Sequence, residues 1–309
     1  MQRHVVAVAS GLVESGVNAG DHVILMSENR LEWLYCDLGI QAAGAITVPI
    51  YPNVSSEIAQ KIAMDCEATM AIVSDAAKAE TLGKGGQLRT IAFIDREVAQ
   101  WVAETPAQLS EISSRLARIQ PDDVCTIVYT SGTTGDPKGA ELAHRNLVDI
   151  CRAILKVHPL SEADSTLSFL PYSHVFERIN GTFVGLMFGG QTWISRGLEH
   201  LTEDLSEVQP TIMCSVPRMY EKMHAAVMAR VREASAVRQA LFRWAIRIGT
   251  KDCVLKPRKA SPAVRSGWVG TRRRFSRDTF HRKRNQRANR RYQRSRMNWK
   301  IGTLTRTYQ

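Results

Sequence analysis

Apolar positions at the start of the chain recur at helical spacing. Val5, Val8, Ala9, Leu12 and Val13 share one face, and Gly16 ends the helix. After the turn at Gly20 and Asp21, residues 22–27 form a short, nearly unbroken apolar run, the pattern of a buried strand. Helical spacing returns over residues 29–43, and a second strand follows at 45–50. Ser55 or Ser56 caps a helix to residue 65, and 68–74 is a third strand. A helix at 75–82, a turn with Gly83, Gly85 and Gly86, and a strand at 90–94 continue the alternation. Helix is expected at 107–119, 144–155, 175–188 and 202–208, and strand at 124–130, 166–170, 192–195 and 211–216. Pro217 suits the first turn of a long helix reaching residue 248. Strands alternating with helices predict an α/β fold, with mixed or parallel sheets flanked by helices.

Charge divides the chain in two. Residues 1–250 hold 22 Lys and Arg against 28 Asp and Glu, whereas residues 251–309 hold 19 against only Asp252 and Asp278. The net +11 therefore describes neither part. Of the 59 residues from 251 onward, 8 are Leu, Ile, Val or Phe, too few for a packed core. The expected organisation is a globular region over residues 1–255 and an irregular basic tail over 256–309. Two readings suit that tail. One is a basic arm for nucleic acid or anionic lipid. The other is out-of-frame translation, which the abrupt change of composition favours.

The six cysteines form no C-x-x-C pair, which argues against a disulfide framework or zinc knuckle and fits a reducing compartment. The histidines lack the spacing of an H-E-x-x-H metal site. The opening residues carry no small-residue cleavage site, and the uncharged run 38–56 is broken by Gly39, Gly44, Pro49 and Pro52. A cytoplasmic protein is expected, with at most peripheral membrane contact; nucleic acid enters only through the tail.

Candidate chemistry concentrates in Tyr129-Thr-Ser-Gly-Thr-Thr-Gly-Asp-Pro-Lys-Gly139. A β-branched run delivers the chain into Thr130, Ser131, Gly132, Thr133, Thr134 and Gly135. Gly132 and Gly135 let main-chain N–H groups approach an anion. The hydroxyls add donors, and Lys138 adds a mobile positive charge. Together these make a polyphosphate cradle. It is not the common P-loop, because Pro137 fills the second glycine position and Gly139 follows the lysine.

This stretch closely resembles the phosphate loop of the adenylate-forming enzymes. The segments Leu170-Pro-Tyr-Ser-His-Val-Phe-Glu-Arg178 and Ser215-Val-Pro-Arg-Met-Tyr-Glu-Lys222 resemble the long-chain fatty acyl-CoA synthetases in particular. So does Ala43-Gly-Ala-Ile-Thr-Val-Pro-Ile-Tyr-Pro52 resemble the family's N-terminal region. The resemblance implies a ligase that joins a fatty acid to the α-phosphate of ATP, with Mg²⁺, and then passes the acyl group to coenzyme A. It implies that Thr130 to Gly135 wrap the β- and γ-phosphates and that Thr130 touches the metal. Lys138 and His174 are the candidate catalytic residues: Lys138 stabilises phosphate charge, and His174 lines the adenylate pocket near the carboxylate. Phe176 walls the acyl side. More ordinary roles also suit several of these positions: capping for His174, core for Phe176, a structural pair for Glu177 and Arg178, and packing for Trp33 and Tyr51.

The aromatic-Gly-x-[TS]-E segment, the ribose-binding aspartate and the C-terminal catalytic lysine of that family have no counterpart in these residues. The expected fold is therefore an incomplete large N-terminal domain of an adenylate-forming enzyme. Little or no ligase activity is expected of the chain alone. The alternative is a non-catalytic nucleotide-phosphate-binding fragment, or a nucleic-acid or membrane binder acting through the basic tail.

Overall fold

The computed structural model describes residues 1–83, 88–104, 108–131 and 137–255, with backbone alone for Ser131 and 251–255. The expectations for Gly85, Gly86, the loop at 132–136 and the tail at 256–309 lie outside the described residues. The described chain divides into a unit spanning Met1–Cys214 and a second unit that begins at Ser215.

The first unit opens with α1 (Gln2–Glu14), β1 (His22–Met26), α2 (Leu31–Ala42), β2 (Ile46–Ile50), α3 (Ser56–Asp65), β3 (Met70–Val73), α4 (Ala76–Leu82) and β4 (Thr90–Phe93). Caps act where the sequence marks them. Ser55 accepts from the Ile58 amide and Asp75 from the Lys78 amide. Gly16 and Gly44 take positive φ at the ends of their helices. Next come α5 (Ala99–Ala103), α6 (Leu109–Arg118), β5 (Val124–Ser131), β6 (Pro137–Ala143) and α7 (His144–Val157). The unit ends with β7 (Ser165–Ser168), α8 (Val175–Glu177), α9 (Val184–Phe188), β8 (Gln191–Ile194) and α10 (Leu201–Val208).

Six strands form one sheet in the order β4-β3-β1-β2-β5-β6, parallel except for the antiparallel β5–β6 pair. Strands β7 and β8 form a second, parallel pair. The central β1 is buried on both faces. Val23 and Leu25 pack with α1 and α2, while Ile24 and Met26 pack with α3 and α4. Burying each such side chain contributes roughly 1.5–3 kcal/mol, more than the roughly 1 kcal/mol of a ladder hydrogen bond. The apolar run, rather than the ladder, therefore places β1 at the centre.

Five local features differ from the sequence reading. Residues 137–143 form strand β6, so the glycine-rich loop joins two strands and not a strand to a helix. Pro, Gly, Ala, Lys and Glu give this edge strand no β-branched signature. A wide-wound turn, Ile94–Val98, leads into the unanticipated α5. The helix expected at 175–188 is α8, a wide-wound turn at Arg178–Phe183, and α9. The strand expected at 211–216 reduces to a single bridge between Thr166 and Ile212. In the second unit the long helix is two, α11 (Pro217–Glu233) and α12 (Ala236–Leu255), separated where Ala234 becomes extended. Pro217 does occupy the first turn of α11.

Candidate active site

The site begins with β5. Its residues Cys125, Thr126, Ile127 and Val128 are buried, and its far end reaches solvent at the exposed Thr130. The chain returns along β6, with Lys138 opposite Thr130, Pro137 opposite Ser131 and Gly139 opposite Tyr129. Lys138 is also exposed. The hairpin thus brings the lysine back beside the hydroxyl that enters the loop. Gly132, Thr133, Thr134 and Gly135 lie outside the described residues, as does the side chain of Ser131. Gly139 is required by close approach: a Cβ there would stand 2.8 Å from Ile127 Cγ2 and 3.0 Å from Tyr129 Cζ. Tyr129 is in turn anchored by its hydroxyl, which donates to Asp65 Oδ2 at 2.5 Å.

Strand β5 runs parallel to β2, with Thr47 beside Thr126. Four residues further along each chain, Tyr51 and Thr130 emerge at the same, carboxyl end of the sheet, where open α/β sheets bind ligands. His174 stands there too. Its ring meets Tyr51 edge-on, with centroids 6.2 Å apart. The structure therefore gathers Thr130, Lys138 and His174 at one end of the sheet. Tyr51 is half-exposed and belongs with them, although its aromatic character alone suggested packing.

His174 caps a helix start, as its Nδ1 accepts from the Phe176 amide at 3.1 Å. That use leaves Nε2 and the ring edge at the exposed surface. Phe176 is partly exposed on the same short helix. The turn before His174 is clamped by Asn29, at the carboxyl end of β1. Its Nδ2 donates to the Leu170 carbonyl at 2.6 Å, and its Oδ1 accepts from the Tyr172 amide at 2.8 Å. The buried rings of Trp33 and Tyr172 pack 5.4 Å apart beneath.

Glu177 and Arg178 are not paired with each other. Arg178 is buried and donates from Nε and Nη2 to the two oxygens of Asp37 at 2.8 and 2.5 Å. Its Nη1 donates to Thr126 Oγ1 at 2.6 Å. Asp37 also accepts from Gln41 at 3.1 Å. Glu177 faces the opposite way and accepts from the Ser168 hydroxyl. Its other oxygen, Oε2, has no hydrogen-bond partner among the described residues. Burial pushes the Glu177 carboxyl up to about 7, with the Ser168 hydrogen bond opposing. Asp37 and Glu177 are the functional-site neighbours that sequence reasoning missed or misassigned.

The donor set decides what cation it suits. Among the described residues there is no group of three or more His, Cys, Asp or Glu placed to hold a metal. The Thr130 hydroxyl beside Lys138 fits Mg²⁺ that arrives on its nucleotide, since Mg²⁺ keeps its waters and phosphate ligands. No helix of the described residues is long and apolar enough to cross a membrane.

A family model for AMP-binding enzymes matches residues 1–254. The long-chain-fatty-acid–CoA ligase FadD15 of Mycobacterium bovis is 35% identical over 234 residues, covering 71% of this chain and 38% of that protein. The peroxisomal long chain acyl-CoA synthetase 6 of Arabidopsis thaliana is 30% identical over 278 residues, covering 83% and 39%. ATP-bound MatB from Rhodopseudomonas palustris superposes with a TM-score of 0.62 at 23% identity, covering 71% of this chain and 44% of that one. The chain thus spans about four-tenths of the length of these curated relatives. With an α/β sheet and a family match over residues 1–254, the chain belongs to the family of AMP-binding enzymes.

Proposed function

We propose that this chain carries the triphosphate-facing part of a long-chain fatty acid–CoA ligase. The observation that carries the reading is the β5–β6 hairpin. It sets Lys138 opposite Thr130 at the sheet end where His174 also stands. In such a ligase the fatty acid carboxylate attacks the α-phosphorus of ATP, and pyrophosphate leaves. Coenzyme A thiolate then attacks the acyl carbonyl, and AMP leaves. Negative charge grows on the leaving pyrophosphate in the first step. Fixed donors stabilise it most when they are already in place.

Thr130 to Gly135 hold the β- and γ-phosphates by main-chain N–H and hydroxyl groups, and Lys138 neutralises part of their charge. The Thr130 hydroxyl is the ligand this chain offers to Mg²⁺, which when bound offsets phosphate charge. His174, fixed by its capping bond and by Tyr51, faces the carboxylate, and Phe176 lies on the acyl side. Fatty acid and coenzyme A are the partner substrates.

These 309 residues offer phosphate contacts and do not include the family's adenine, ribose or late-lysine motifs. For a polypeptide of these residues, phosphate binding is expected to outlast turnover. It should bind Mg²⁺–ATP yet catalyse palmitate-dependent ATP–pyrophosphate exchange at a small fraction of a complete synthetase's rate. Exchange comparable with that of a complete synthetase would refute the partial-site reading.

A further inference from the structure

The guanidinium of Arg178 touches two elements that the chain visits far apart and, through one of them, is linked to a third. It grips Asp37 of α2 with two hydrogen bonds and reaches Thr126 of β5 with a third. Thr126 Oγ1 passes its own hydrogen to the Thr47 carbonyl of β2 at 2.7 Å. All four residues Asp37, Thr47, Thr126 and Arg178 are buried. The guanidinium also lies near the rings of Trp33 and Phe183, 5.8 and 5.6 Å from their centroids. Such a fork leaves little rotational freedom, because a planar group holds three acceptors at once.

Both ends of this network lead into the site. Four residues before Arg178 is His174, and the Arg178 amide donates to the His174 carbonyl at 3.0 Å. Four residues after Thr126 is Thr130, where the phosphate loop begins, and four after Thr47 is Tyr51, the ring against His174. Resting on the nucleotide-site reading above, we infer that Thr126 and Arg178 are positioning residues that hold the His174 turn in register with Thr130 at the end of β5. A merely structural ion pair would need Asp37 and Arg178 alone. The third hydrogen bond, to the strand that enters the loop, is what adds registration.

Thr126→Val keeps the side chain's shape and leaves the Asp37–Arg178 pair, but removes the shared hydroxyl. Mg²⁺–ATP affinity is measured by calorimetry on the full chain, alone and with His174→Ala. The expected result is a loss of about fivefold or more, restored by Thr126→Ser and absent in the His174→Ala background. Hydrogen exchange supplies a second arm that needs no nucleotide. Thr126→Val should speed exchange in both 171–178 and 124–131, with 2–14 unchanged. An equal loss in the His174→Ala background, no rescue by serine, or faster exchange in only one of the two segments overturns the inference. If the wild-type chain binds no ATP, the functional reading fails, and the exchange arm still decides the coupling. If Thr126→Val does not fold, Arg178→Lys carries both arms, since an ammonium cannot hold Asp37 and Thr126 together in fork geometry.

Discussion

Glu177 shows how one buried atom sets a measurable property. Its carboxyl is held up to about 7 by burial, against an ordinary value of 4.5. Below pH 4.5 the group is neutral whether the chain is folded or unfolded, and stability is unaffected. Between pH 4.5 and 7 the unfolded chain releases the proton while the folded chain keeps it, so stability falls as pH rises. Above pH 7 the full cost, on the order of 3 kcal/mol, is present. Glu177→Gln removes that titration. Its melting temperature should match the wild type near pH 4.5 and exceed it increasingly toward pH 8. A gap that does not vary with pH would show that folding leaves the Glu177 carboxyl at its ordinary value. This role was not legible in the sequence. A Glu beside an Arg reads as a pair, and only folding turns their side chains to different partners, Ser168 and Asp37.

At the scale of elements, the parallel core was legible and the edge was not. Strands β1, β2, β3 and β5 are apolar or β-branched runs because both of their faces are covered. Strand β6 covers an edge with Pro, Lys, Gly, Ala and Glu, and its pairing comes from β5 rather than from its own composition. The split of the long helix at Ala234 has no strong breaker residue in the sequence, whereas the wide-wound turn at Arg178–Phe183 carries Asn180-Gly181, a breaker that the helical reading passed over. Position 139 tests the hairpin. A methyl there would meet the β-branched Ile127 and the Tyr129 ring, neither of which moves aside easily. Gly139→Ala should lower stability by about 1–3 kcal/mol and weaken nucleotide binding, read by denaturation and calorimetry. Unchanged values of both would mean that β6 packs more loosely on β5 than its register implies.

Across the whole first unit, the site is assembled by contacts between residues 141 positions apart, Asp37 with Arg178 and Asn29 with Leu170. The motif around residues 130–138 stands out because it sets glycines, hydroxyls and a lysine in local order, the set that a proposed phosphate cradle needs. The Asp37–Arg178 fork was not legible, since nothing near either residue names its partner. The central claim is that Thr130 and Lys138 mark a cradle for terminal phosphates, and titration of the full chain with Mg²⁺–ATP tests it most directly. The account predicts that ATP binds, that inorganic pyrophosphate competes with it, and that Lys138→Ala weakens both by roughly ten- to a hundredfold. A folded Lys138→Ala chain binding ATP as tightly as the wild type, or pyrophosphate failing to compete, would contradict it.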